Sequence, residues 1–226
     1  MSASVYLLDI EGTVCPISFV QETLFPYFSA KVPSLVKSDD VSIKSVLAQF
    51  PQHGDPQALQ THIQSLVSND VKDPILKQLQ GTVWSQGYTS GEIKAPVYED
   101  AIEFMKRKEN VYIYSSGSVQ AQKLLFGYVA NPASSGSNEL SLDLNPLIKG
   151  YFDINTSGKK LESGSYEKIV SQIGVAADQV TFISDNIKEL EAADAAGLNT
   201  LLAVRPGNPP VQQNHGFQTV ERFDAL

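Results

Sequence analysis

The chain has 226 residues, of which 42% are hydrophobic and 19% charged. These values predict a globular protein, either one large domain or a core with a smaller insertion, and exclude a disordered or fibrous chain. The formal net charge of -8 repels nucleic-acid phosphates and anionic membranes. The densest basic cluster, Lys106-Arg107-Lys108, follows a helical pattern with acidic neighbours, which favours a solvated helix face. We therefore expect neither a nucleic-acid nor a membrane partner.

The single cysteine, Cys15, excludes an internal disulfide and is typical of a reducing compartment. Because nearby carboxylates raise the pKa of a thiol, we interpret Cys15 as a small packed side chain rather than a nucleophile. The opening segment Met1–Ile10 has no basic region, and its apolar run is too short for a signal peptide or a membrane span. The expected location is the cytosol, with the nucleus as a second compartment.

The first predicted element is a buried β-strand over Val5–Asp9. About a hundred residues separate it from the next strand, far more than a βα unit needs. Most of this interval, from Phe19 to about Gly91, has a helical pattern, which predicts an inserted bundle of about four helices. Breaks between these helices are predicted at Pro33, at residues 38–40, at 51–56 and at 70–74.

The rest of the chain alternates strands with helices, which predicts a doubly wound parallel α/β sheet. The predicted strands are Val111–Ser116, Val180–Asp185 and Thr200–Val204, and the predicted helices are Ser118–Tyr128, Ser163–Ile173 and Asn186–Ala196, the last closed by Gly197. A polar segment, Asn131–Asn145, is interpreted as an exposed loop with a short hairpin. The predicted domains are an α/β core over residues 1–16 and 95–226 and a helical cap over 17–94.

The strongest chemical signal is Asp9-Ile10-Glu11-Gly12-Thr13, directly after the first strand. Ligands of open α/β sheets bind beyond the carboxyl ends of the strands. Two carboxylates two residues apart can converge there, and a magnesium ion would keep both ionised beside a phosphoryl group. This pattern indicates a metal site with a nucleophilic carboxylate.

Three further signals follow at later strand ends and loops. Ser115-Ser116-Gly117-Ser118 is typical of an anion site at a helix start, although a structural Ser-Gly turn is an equal alternative. Lys160 precedes a helix and could neutralise phosphoryl oxygens, whereas taken alone it is more often a solvated lysine. Asp185 would complete a metal site or cap a helix, and Glu189, one turn later, would orient backbone or reach the metal through water.

The order of the four signals resembles the haloacid dehalogenase superfamily, in which an Asp nucleophile, a hydroxyl, a Lys and a metal-binding carboxylate occupy these positions. Glu11 stands where that superfamily usually has Asp. With Glu at this position, the sequence is similar to the enolase-phosphatase family, also called acireductone synthase. The strings that carry the resemblance are Asp9-Ile10-Glu11-Gly12-Thr13, Ser115 to Ser118 with Gln122 to Gly127, Lys160-Leu161-Glu162-Ser163, Leu79-Gln80-Gly81 with Trp84, and Val204-Arg205-Pro206-Gly207-Asn208.

The resemblance implies a Mg2+-dependent enzyme of methionine salvage. Such an enzyme enolises 2,3-diketo-5-methylthiopentyl 1-phosphate and then removes the phosphate through an aspartyl-phosphate, leaving an acireductone. The implied roles are catalysis by Asp9, Glu11 and Lys160, metal binding by Asp9, Glu11 and Asp185, and substrate binding by Ser115, Ser116, Gly117 and Lys160. Glu11 is our candidate base for the enolisation, and a monomer is expected.

Two alternatives remain open at the level of the sequence. Another phosphatase or phosphomutase of the superfamily would share Asp9 and Lys160, and a non-catalytic receiver-like module would also bind magnesium with clustered carboxylates. Arg205 is expected either to rim the site or to pair at the surface. Several aromatic residues of the inserted region are expected either to line a pocket for the substrate tail or to form core: Phe25, Tyr27, Phe28, Trp84 and Tyr88.

Overall fold

The fold comes from a computed structural model, which describes residues 5–69, 71, 73–131, 141–211 and 215–226. The chain divides into two units, one formed by Met1–Ser18 with Lys94–Leu226 and the other by Phe19–Ile93. Most of the segment Asn131–Asn145 lies outside the described residues, and so does the hairpin predicted there.

The first unit is built on a six-stranded sheet in the order β3-β2-β1-β4-β5-β6, and each of its five strand pairings is parallel. The prediction of a doubly wound parallel sheet is confirmed. The order reverses at β1, which lies between β2 and β4, and such a reversal opens a crevice at the carboxyl ends of the strands. The strands are β1 Val5–Leu8, β2 Val111–Tyr114, β3 Ile148–Phe152, β4 Val180–Ser184, β5 Asn199–Ala203 and β6 Gln218–Val220.

Among the described residues of this unit, four α-helices accompany the sheet: α5 Glu99–Arg107, α6 Val119–Gly127, α7 Ser163–Ile173 and α8 Ile187–Ala195. Part of the core between sheet and helices is a row of buried rings. Tyr166 of α7 meets Tyr114 of β2 edge to face at 5.5 Å and Phe182 of β4 at 5.1 Å. Offset and edge-to-face rings stabilise a core beyond their buried area, so this row fixes α7 over β2 and β4.

The second unit contains α1 Phe25–Leu35, α2 Val41–Leu47, α3 Pro56–Ser68 and α4 Pro74–Thr89, with a π-helical turn at Val20–Leu24. An aspartate side chain accepts backbone N–H groups at the start of α2, α3 and α4, which satisfies donors that a helix leaves free. The predicted break at Pro33 is wrong, since α1 continues to Leu35. Pro33 is exposed and lies in the last turn, where the loss of one hydrogen bond is tolerated.

A buried cluster of the second unit is largely aliphatic and includes the rings of Phe28 and Phe50. A search of the described residues finds no helix with the length and apolarity needed to cross a membrane.

Candidate active site

Asp9 lies directly after β1, at the reversal of strand order, and is almost completely buried. Its Oδ1 accepts the Ile10 amide N–H at 2.8 Å, and its Oδ2 lies 3.2 Å from the Ser184 hydroxyl at the end of β4. The Asp9 amide donates to the Ile183 carbonyl at 3.0 Å. The end of β4 therefore holds both the backbone of Asp9 and one oxygen of its carboxylate.

Lys160 is buried and forms ion pairs with two carboxylates, at 2.7 Å from Asp9 Oδ1 and 2.6 Å from Glu189 Oε2. Burial alone would lower the pKa of Lys160, but Asp9 and Glu189 outweigh it and hold the pKa above its usual value. The ammonium is therefore charged at neutral pH and lies against the carboxylate that the sequence marks as nucleophile.

The loop that carries Lys160 is fixed by two buried tyrosines. The Tyr166 hydroxyl donates to the Lys160 carbonyl at 2.7 Å, and the Tyr114 hydroxyl donates to the Gly158 carbonyl at 2.8 Å. Gly158 has φ +116°, and a Cβ there would come within 2.5 Å of Ser165 Oγ, so only glycine fits this turn. No pattern in the sequence indicated the role of either tyrosine.

Glu189, in the first turn of α8, has a role that the sequence prediction did not contain. Besides Lys160, its Oε2 lies 2.9 Å from the Ser184 hydroxyl. Burial first, and then the charge of Asp9, raise the pKa of Glu189 to about 7, although Lys160 and Ser184 act in the opposite direction. Glu189 thus holds Lys160 and Ser184 in place beside Asp9.

Asp185 and Glu11 bring further negative charge to the same sheet edge. Asp185 follows β4 and packs against Gly12, whose φ is +70°. Burial and then Asp9 raise the pKa of Asp185 to about 6, while Lys160 lowers it. Burial, Asp9 and Asp185 likewise raise the pKa of Glu11, although its side chain still reaches solvent and Lys160 opposes the shift. Such mutual repulsion is what a bound cation would relieve.

These carboxylates do not form a complete cage for a metal. Within the described ranges, no three His, Cys, Asp or Glu side chains lie together in a group able to hold a metal ion. A magnesium ion usually keeps several waters and takes only one or two carboxylates from the protein. The donor set of Asp9 and Asp185, with Glu11 nearby, fits that mode of binding.

Ser115, Ser116 and Gly117 follow β2 at the same carboxyl edge, because β1 and β2 are parallel. Ser115 is buried and its Oγ accepts the Gly117 amide at 3.3 Å, whereas Ser116 and Gly117 are exposed. Buried Gln122 of α6 donates from Nε2 to the carbonyls of Gly117 and Phe152, both at 2.8 Å. Gln122 therefore ties the serine loop to the end of β3, a contact that the sequence did not reveal.

Comparison with known proteins agrees with this geometry. A model of haloacid dehalogenase-like hydrolases matches residues 3–197. The chain is 90% identical over its whole length to enolase-phosphatase E1 of Zygosaccharomyces rouxii, covering all of that protein, and 60% identical over 225 residues, or 99% of the chain, to that of Saccharomyces cerevisiae, covering 98% of that protein. The chain belongs to the enolase-phosphatase family of haloacid dehalogenase-like hydrolases.

Solved structures share the fold of this chain. The UTR4 protein of Saccharomyces cerevisiae is 59% identical, with a TM-score of 0.93 and full coverage of both chains. A dehalogenase at 16% identity has a TM-score of 0.57 over 99% of this chain and 95% of its own, which shows the shared fold alone.

One feature of this enolase-phosphatase family member corrects the sequence interpretation of Arg205, which is neither at a rim nor at the surface. Arg205 is buried and paired with buried Asp100 at 2.7 Å. It also donates from Nε to the Thr13 carbonyl at 2.8 Å and stacks on Phe223, 4.4 Å from the ring centroid. Arg205 thus ties the loop after β1 to α5 and to the C-terminal segment.

The cysteine and the aromatic residues can also be placed. Cys15 is fully buried. Its burial, and secondly the charge of Glu11, raise the pKa of its thiol, as expected for a packed side chain.

Within the helical unit of this family member, Phe28 is part of the core, and the Trp84 indole N–H donates to the Leu24 carbonyl at 2.9 Å. The Tyr27 hydroxyl donates to Glu92 at 2.7 Å.

Proposed function

We propose that this protein is an enolase-phosphatase of methionine salvage. It enolises 2,3-diketo-5-methylthiopentyl 1-phosphate and then hydrolyses the phosphate ester, giving 1,2-dihydroxy-3-keto-5-methylthiopentene and inorganic phosphate. The observation that carries this proposal is the 90% identity to a curated enolase-phosphatase over every residue of both chains. The buried arrangement of Asp9, Lys160 and Glu189 supports it, because the charges needed for phosphoryl transfer are already in place.

In the phosphatase step, a carboxylate oxygen of Asp9 attacks phosphorus in line, and the bond from phosphorus to the substrate oxygen breaks. Lys160, charged and buried, offsets the negative charge on the phosphoryl oxygens. Glu11, whose pKa is raised, donates a proton to the leaving oxygen and afterwards takes one from the water that cleaves the aspartyl-phosphate. Ser115, Ser116 and Gly117 hold the substrate.

Asp9 and Asp185 are the residues that would hold magnesium, with Glu11 nearby and water completing its coordination. When bound, the ion would neutralise charge on the phosphoryl group and keep Asp9 and Asp185 ionised. The raised pKa values of Asp185 and Glu11 support this assignment, because carboxylates that repel one another in the absence of metal gain most from a cation.

The enolisation needs a base to remove a proton next to a carbonyl group. Glu11 is our candidate, since it reaches solvent at the sheet edge and a raised pKa brings it closer to neutral pH. The hydroxyls of Ser115 and Ser116 would stabilise the developing enolate oxygen. A Glu11→Gln variant should lose enolisation as well as hydrolysis, and normal enolisation by this variant would exclude Glu11 as the base.

The decisive experiment measures enol absorbance and released phosphate together, with the diketo phosphate as substrate and Mg2+ as cofactor. Asp9→Asn should abolish phosphate release, whereas Asp194→Asn, an exposed aspartate of α8, should leave both signals unchanged. Release of phosphate from common phosphomonoesters but not from the diketo phosphate would show that the protein is another kind of phosphatase of the superfamily. Substantial release by folded Asp9→Asn would remove Asp9 as the nucleophile.

We further propose a monomer that works in the cytosol, with the nucleus as a second compartment, on a small phosphorylated diketone and without a nucleic-acid or membrane partner. The formal charge of -8 supports the absence of polyanionic partners. Sedimentation of the purified protein tests the oligomeric state.

A further inference from the structure

Asn208 lies in the turn after β5, near the loop that follows β1. Its Nδ2 donates to the Gly12 carbonyl at 2.9 Å and lies 3.4 Å from the Ala203 carbonyl. Both neighbours are carbonyl oxygens, which only accept hydrogen bonds. Of the two possible orientations of the Asn208 amide, only the one that places its nitrogen beside these carbonyls is therefore compatible with them. The nitrogen faces these carbonyls, and Oδ1 faces the opposite side.

The Oδ1 atom of Asn208 is buried and has no hydrogen-bond partner among the described residues. It lies 3.1 Å from the position that a Cβ on Gly12 would occupy, and Asp185 Cγ lies 2.6 Å from that same position. Two oxygen acceptors, an amide oxygen and a carboxylate, therefore converge beside Gly12. A buried acceptor without a donor is costly, so this convergence points to a donor or a cation.

Of the ligands proposed for this site, hydrated magnesium supplies what these two acceptors need, namely a cation and water molecules that donate hydrogen bonds. The ion usually keeps several waters, and these waters are strong donors that need acceptors. Residues that accept such hydrogen bonds orient a metal site almost as effectively as its direct ligands do.

We propose that Asn208 is a positioning residue of the magnesium site. Its amide nitrogen fixes the Gly12 carbonyl, and its amide oxygen accepts a hydrogen bond from a water of the hydrated ion held by Asp185. This inference rests on the proposed magnesium-dependent function. It extends that site to the turn after β5, beyond residue 197, where the match to the family model ends.

The test is calorimetric titration of the metal-free protein with MgCl2 at pH 8. Loss of both amide groups in Asn208→Ala should weaken Mg2+ binding by about 10–100-fold. Asn208→Asp keeps an oxygen at the Oδ1 position and adds negative charge, so it should bind Mg2+ at least tenfold more tightly than Asn208→Ala, as an order of magnitude. If Asn208→Asp bound Mg2+ no better than Asn208→Ala, an oxygen at this position would have no effect on the ion, and the amide would act only on the Gly12 carbonyl.

Asn199 provides a matched control. Its Nδ2 also donates to a backbone carbonyl, that of Asp178 at 2.6 Å, but it lies at the opposite, amino-terminal end of β5. Asn199→Ala and Asn199→Asp should bind Mg2+ like the wild type. If Asn208→Ala does not fold, as judged by circular dichroism, Asn208→Ser replaces it with the same expected loss.

Either of two results would overturn the role of Asn208 and leave the proposed metal dependence intact. One is an Mg2+ affinity of Asn208→Ala within twofold of the wild type, and the other is Asn208→Asp binding Mg2+ no more tightly than Asn208→Ala. Failure of the wild type itself to bind Mg2+ would instead overturn the proposed metal dependence, and the inference with it. The two kinds of failure are therefore distinguishable in one set of titrations.

Discussion

Replacing Glu189 with glutamine should change how the stability of the metal-free protein depends on pH. Glu189 is buried between Lys160 and Ser184, and its pKa is raised to about 7 from an ordinary value of 4.5, by burial first and by Asp9 second. Glutamine has nearly the same shape and can still accept from Lys160 and Ser184, but it has no proton to lose.

The sign follows from proton linkage. Between pH 4.5 and about 7 the folded state keeps a proton on Glu189 that the unfolded state has lost, so the free energy of unfolding falls as pH rises through this window. At about 1.4 kcal/mol per unit of pKa, the loss is on the order of 3 kcal/mol in the wild type. It is absent in Glu189→Gln. Asp185, with a pKa raised to about 6, contributes to both proteins and cancels in the comparison.

The measurement is urea unfolding of wild type and Glu189→Gln in EDTA at pH 5 and pH 8. The stability of Glu189→Gln relative to the wild type should rise by about 2–3 kcal/mol between these two pH values. Glu191→Gln, an exposed glutamate on the same helix, should behave like the wild type. Parallel pH dependence in all three proteins would refute the assignment of Glu189 as a carboxyl whose pKa is raised in the folded state.

Three further predictions concern neighbouring groups. Tyr166→Phe removes the hydrogen bond to the Lys160 carbonyl, so kcat should fall about 2–10-fold with little change in KM, and an unchanged kcat would argue against this positioning role. Arg205→Met leaves buried Asp100 without its ion pair and should lower the free energy of unfolding by about 3–5 kcal/mol in urea titrations; a loss below about 1 kcal/mol would contradict it. Mg2+ should raise the melting temperature more at pH 8 than at pH 5.5, because protons compete for Asp185, whereas equal shifts would count against Asp185 as a ligand.

The sequence alone predicted the secondary-structure elements whose signal lies in a short stretch of residues. Strands β1, β2, β4 and β5 are short apolar runs, as buried parallel strands must be, and each was predicted. Strand β3 was missed because Lys149 and Gly150 interrupt its apolar pattern, and β6 because its three residues include Gln218 and Thr219.

The candidate site was predictable only as a set of residue types at strand ends. Contacts between a side chain and a distant backbone group leave no pattern in the chain, so the roles of Tyr166 and Gln122 could not be inferred. For the same reason Arg205 was placed wrongly, since its partner Asp100 is 105 residues away and its burial depends on packing.

The pairing of β1 with β4 has a consequence for the synthesis of the chain. Asp9 and Ser184, which meet at this pairing, are 175 positions apart in sequence, so the loop between them must close before the site exists. Contacts of such high sequence separation form slowly, whereas contacts within Phe19–Ile93 join residues closer in sequence, such as Trp84 and Leu24, which are 60 positions apart. A ribosome-bound chain that ends before α8 has Asp9 but lacks Glu189. We therefore expect the nascent protein to be inactive until nearly its whole length has left the ribosome.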